Sequence, residues 1–109
     1  MTIEGFRRLA LSLPQTSESA HMDHPDFRVS GKIFATLGYP EAKWGMIKLT
    51  LEQQRTLVAR YPRVFEAVAG GWGRRGATNV RLRYAMAKIL LPAMRQAWRN
   101  SASRRVQNE

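Results

Sequence analysis

Apolar residues at Ile3, Phe6, Leu9, Ala10 and Leu13 recur at helical spacing, with Thr2 placed to cap the start and Leu13-Pro14 to end the run. A first helix is predicted there. From Glu18 onward the period changes. Phe27 and Val29 flank Arg28, Ser30-Gly31 offers a tight turn, and residues 32–37 carry Ile33, Ala35 and Leu37 on one face, so a hairpin is expected. Residues 38–43, with Pro40, read as a loop. Trp44, Met46 and Lys48 then alternate with Gly45, Ile47 and Leu49 in a third strand.

Thr50-Leu51-Glu52-Gln53 is a capping box that opens a second helix, running to about Arg60. Residues 64–68 suit a short strand or turn, 69–76 are glycine-rich, and 77–83 are extended in character, with Val80 and Leu82 opposed to Asn79, Arg81 and Arg83. From about Met86 a last helix places Ala87, Leu90, Leu91, Met94, Ala97 and Trp98 on one stripe and Lys88, Arg95 and Arg99 on the other side. Pro92 removes a backbone donor and crowds the carbonyl of Lys88, which predicts a kink or a later start. The order of elements implies an α+β fold: an antiparallel sheet with helices near both termini packed on one face, burying Leu9, Leu90, Met94 and Trp98 together. One domain is expected over residues 1–100, followed by a frayed basic tail at 101–109.

With 109 residues, a two-domain enzyme with a large cleft is already excluded as the natural reading. The chain has no cysteine, which removes disulfide scaffolds, thiolate zinc sites and thiol nucleophiles and points to a reducing, cytoplasmic setting. Apolar runs such as Ile89 to Leu91 fall far short of the ~20 residues that span a bilayer, and no signal peptide is evident. No membrane partner is expected.

Charge changes the picture more. The formal net charge is +10, and it is uneven: residues 1–66 hold nine bases and seven acids, whereas residues 67–109 hold nine bases and one acid. Such a field draws nucleic acid or acidic protein. Fourteen of the bases are arginine, whose fork matches phosphate oxygens better than an ammonium does.

Gly71-Trp72-Gly73-Arg74-Arg75-Gly76 matches the G-x-G-x-x-G fingerprint of dinucleotide sites, but the segment after it reads as a strand where a helix is needed. No acid follows about 20 residues later to hold a ribose. The glycines are expected instead to take positive φ in a turn, or to form a glycine-rich wing that approaches phosphate with Arg74 and Arg75, beside an exposed Trp72. His21, His24 and Asp26 invite a metal reading. Against it, an extended segment sends the two histidines to opposite faces and Pro25 bars a local helix, so no metal site and no cofactor are expected. No serine sits in a nucleophile context and no carboxylate pair stands out, so no enzymatic activity is expected.

His24-Pro25-Asp26-Phe27-Arg28-Val29, Gly31-Lys32-Ile33-Phe34-Ala35-Thr36-Leu37, Lys48-Leu49-Thr50, Gly70 to Thr78, Val80-Arg81-Leu82 and Ala97-Trp98-Arg99 together resemble the MmcQ/YjbR family. The likeness spans about residues 3–100. It implies a frataxin-like (CyaY-like) α+β fold and a double-wing DNA-binding motif. The first wing would be the hairpin around Ser30-Gly31, and the second would span residues 70–83. The acidic ridge of frataxins has no counterpart, since Glu4 lies beside Arg7 and Arg8, so iron delivery is not expected.

The leading expectation is a small DNA-binding or nucleic-acid-associated domain that binds weakly and salt-dependently through Arg28, Lys32, Trp72, Arg74, Arg75, Arg81 and Arg83. Its rivals are a module for an acidic protein partner and a small-molecule site around His21, Asp26 and Trp72.

Overall fold

The computed structural model describes residues 1–108. Its elements are α1 (Ile3–Leu11), β1 (Ser17–His21), β2 (His24–Val29), β3 (Lys32–Leu37), β4 (Trp44–Lys48), α2 (Leu51–Arg60), β5 (Phe65–Ala67), α3 (Gly71–Arg74), β6 (Ala77–Arg81), α4 (Ala87–Ser101) and α5 (Arg104–Gln107), with a single 3-10 turn at Leu82–Tyr84. The strands form one antiparallel sheet in the order β1-β2-β3-β4-β6-β5.

Thr2 Oγ1 accepts from Gly5 N at 2.9 Å, and the Thr50–Gln53 capping box forms in both directions, at 2.9 and 3.1 Å. Both helix starts thus satisfy backbone donors that have no partner inside the helix. Helix α4 lies over β3 and β4 and against α1, while α2 packs beside β5 and β6. Phe6, Ala10, Leu13, Leu90, Met94, Ala97 and Trp98 are buried in one cluster with Phe27, Ile47 and Val80. The expectation of terminal helices on one face holds, with departures along the two stripes: Leu9 and Leu91 are only half-buried, and Ile3 and Ala87 are exposed.

Register sorts the sheet into two faces, because residues paired across strands share a face. Leu37, Gly45, Val80 and Phe65 form one row on the helix side, where Gly45 lies directly under the Phe6 ring. Asp26, Thr36, Met46, Asn79 and Glu66 form the neighbouring row on the other side. No helix covers that second row's centre, and the site lies there.

Several expectations need correction. Strand β1, exposed throughout, shows no apolar alternation and was not foreseen as a strand. The single-face reading of Ile33, Ala35 and Leu37 fails because a β-bulge makes Phe34 an unpaired extra residue. Ile33 therefore turns to the side of Thr36. Residues 71–74 form a short helix rather than a turn; Gly70 and Gly76 take positive φ, but Gly71 and Gly73 do not. Strand β6 stops at Arg81, so Arg81 and Arg83 do not share a strand face. Helix α4 begins at Ala87 with Pro92 inside it on the exposed side, where the Lys88 carbonyl can turn to water. The residues expected to fray include α5, capped by Ser103 and held by Gln107 Nε2, which donates to Arg99 O and Ala102 O.

Candidate functional site

The β1–β2 hairpin turns through Met22 and Asp23, both at positive φ, so His21 and His24 face each other as cross-strand partners. This corrects the expectation that they point to opposite faces: an extended chain separates them, but a two-residue turn folds them back onto one side. His21 Nδ1 lies 2.8 Å from Asp26 Oδ2, and Arg28 grips the same carboxylate through Nε at 2.9 Å and Nη2 at 3.2 Å. Asp26 has no exposed surface. The Arg28 hydrogen bonds, helped by His21, nevertheless hold its carboxyl below the ordinary value against the effect of burial. An ionised carboxylate only accepts, which places the His21 proton on Nδ1.

A cleft of about 550 Å³ opens on this face, and Thr36, Met46, Lys48, Asn79 and Trp72 line it together with both histidines. Lys48 Nζ sits 5.0 Å from the centre of the Trp72 ring, and burial pushes its ammonium below the usual lysine range. Trp72 is 60% exposed, as expected of an aromatic among glycines.

The glycine-arginine segment is built for close approach. A Cβ on Gly73 would stand 1.6 Å from Val68 O, and one on Gly76 would stand 2.1 Å from Leu49 O. The buried Gln54 Nε2 donates to Gly73 O at 2.9 Å and to Ala77 O at 2.8 Å, clamping both ends of the segment to α2. Trp72 is thereby presented on a rigid turn of helix at the cleft's rim.

Register also gathers charge. Val29 pairs with Lys32 at one end of the sheet, and Lys48 pairs with Ala77 at the same end. Lys32, Arg74 and Arg75 therefore emerge at the same end of the sheet, with β4 between their strands, and Ser103 N donates to Ser30 Oγ at 2.9 Å, bringing Arg104 and Arg105 to the β2–β3 hairpin. All five are exposed, and among the described residues none forms an ion pair. The other expected contact residues differ. Arg28 is engaged by Asp26, and Arg81 by Glu66 at 2.9 Å and by the Trp44 ring at 4.8 Å. Arg83 is exposed at the opposite end, stacked on Tyr84.

Lys48 and Asn79 were not singled out as site residues from the sequence. Strand parity carried a signal: Lys48 alternates with the core residues Ile47 and Leu49, and Asn79 alternates with Val80. Only the pairing of β4 with β6 places both on one cleft.

The architecture is shared with solved structures. The crystal structure of the Deinococcus radiodurans protein DR2400, described as a DUF419 domain, superposes with a TM-score of 0.75 at 15% identity, covering 98% of this chain and 86% of that one. At that identity the likeness concerns the fold alone: an α+β sheet with its terminal helices on one face. The family model for YjbR matches residues 11–100, and the chain belongs to the YjbR family. No curated protein matches it.

Proposed function

We propose that this protein is a non-enzymatic domain that associates with nucleic acid, DNA foremost, by contacting phosphates through the basic end of its sheet. The observation that carries the reading is the register that sets Lys32 of the β2–β3 hairpin at the same end of the sheet as Arg74 and Arg75 of the glycine-rich segment, all exposed and without ion-pair partners among the described residues. These two projections are what a double wing would use. Arg104 and Arg105 extend the same patch, and Trp72 beside it offers a ring for a base to stack on. Arg28 and Arg81 would have to leave carboxylate partners to join, so they contribute less than the free cations. Few side chains there can read base edges, and phosphate contacts attract without specifying sequence. The absence of cysteine fits a cytoplasmic setting.

Anisotropy with labelled duplex and single-stranded DNA across a salt series tests the reading. If about four phosphates are neutralised, log K falls against log salt with a slope near −3.6 on duplex. Replacing Arg74 and Arg75 together by Ala removes up to about two contacts' worth of that slope with the circular dichroism spectrum unchanged. Absence of binding to either strand form at ~20 mM salt overturns the proposal. Binding of polyglutamate without binding of DNA transfers the basic end to an acidic protein partner.

A further inference from the structure

We propose that the cleft on the sheet's open face binds a planar aromatic carboxylic acid, with Lys48 taking the carboxylate, Trp72 and Met46 flanking the ring, and Asn79 meeting a polar group on it. The cleft's volume of about 550 Å³ suits a small ligand. Its walls are largely apolar, and three features inside it lack the partners a folded protein normally supplies.

Asn79 is only 5% exposed, its Oδ1 is buried without any hydrogen-bond partner, and its side chain lines the cleft. A buried acceptor left unpaired destabilises a fold, so its retention at the floor of an open cleft points to a donor arriving from outside. Lys48 is half-buried, carries no carboxylate partner among the described residues, and holds its ammonium over the Trp72 ring. Trp72 in turn holds 60% of its surface in solvent while the next residue, Gly73, is clamped by Gln54.

The sign of the ligand follows from the lining. Lys48, His21 and His24 face the cleft, and no Asp or Glu lines it. Both acids of the open-face row are engaged elsewhere: Asp26 is held by Arg28 and His21, and Glu66, the cross-strand partner of Asn79, by Arg81. One ammonium matches one carboxylate, whereas a phosphate dianion calls for a fork or several donors. The ring follows from Trp72 and Tyr39, which give flat walls, and from Met46, whose thioether favours aromatic contact. This site uses Lys48 and Asn79, not the free cations of the phosphate patch, so either proposal can fail alone.

Calorimetric titration of the full chain with indole-3-acetate and with 4-hydroxybenzoate tests the inference, using indole-3-acetamide as the neutral twin of the first. Saturable one-to-one binding of at least one acid is expected, with the amide weaker than indole-3-acetate by roughly tenfold. Lys48→Met should erase that difference while the amide still binds, and Lys48→Arg should retain it. Trp72→Ala should weaken acid and amide alike, and the paired Arg74→Ala, Arg75→Ala variant should change neither. The proposal is overturned if neither acid saturates by about 10 mM, if acid and amide bind equally, or if Lys48→Met keeps the preference. Tighter binding of adenosine monophosphate than of either acid would also overturn it. Should Lys48→Met fail to fold, a lost preference in Lys48→Arg counts against the assignment and a retained one supports it.

Discussion

A carboxylate without exposed surface ordinarily titrates upward, but Asp26 accepts from Arg28 twice and from His21 once, and those bonds outweigh burial. Because the folded carboxyl is held below its ordinary value near 3.9, the unfolded chain takes up the proton first on acidification. The stabilisation is complete above that value and is lost as the pH falls toward and through the folded one. Asp26→Asn should therefore cost about 1–3 kcal/mol at pH 7, and progressively less as the pH falls below about 4, when urea midpoints are compared with wild type. Gly73 makes a different kind of demand. Its missing Cβ leaves room for Val68 O, which is backbone and cannot swing aside, so Gly73→Ala should cost about 3 kcal/mol or more. Gly31 has open space around it but φ +76, so Gly31→Ala should cost only about 1–2 kcal/mol from backbone strain. Urea unfolding of the pair separates collision from strain.

At the level of elements, α4 is fastened to the end of α1 by Trp98 Nε1, which donates to Pro14 O at 2.9 Å. Trp98→Phe removes that donor and opens a small void, so a loss of about 1–2 kcal/mol is expected in thermal or urea unfolding. The two long amphipathic helices were legible because Phe6, Ala10, Leu90, Met94 and Trp98 repeat at the helical period, and α2 because its capping box is local. Strand β1 was not, since an edge strand exposed on every residue has no alternation to read. The four residues of α3 have no apolar period either, and they are helical because Gln54 and the Val68 carbonyl enclose them from 19 and 5 positions away in sequence. The bulge at Phe34 likewise depends on the partner strand. The exposed arginines and Trp72 could be named from the chain alone. The cleft could not, because Lys48, Asn79 and the folded-back histidines meet only through pairings between distant strands.

On the scale of the whole molecule, +10 on a globule with a radius of gyration of 12.6 Å is a considerable self-repulsion. The ion pairs that oppose it are few among the described residues, and those of Arg7 and Arg81 lie at the surface, where each contributes little. Screening should then relieve more repulsion than it removes attraction. Raising sodium chloride from about 0.02 to about 0.3 M should raise the thermal midpoint of the isolated protein, the opposite of its expected effect on DNA affinity. A midpoint that falls would show that the ion pairs outweigh the net charge.

The turn that folds His21 back onto His24 has one more property: it leaves Met22 87% exposed, whereas Met94 has no exposed surface. Sulfur in that position is open to mild oxidants, and conversion to the sulfoxide would make one lip of the cleft polar and chiral without touching the core. Peptide mapping after brief peroxide treatment should find Met22 oxidised well before Met94. The loss should be reversible by methionine sulfoxide reductase, giving the hairpin tip a chemistry set by oxidant exposure rather than by charge.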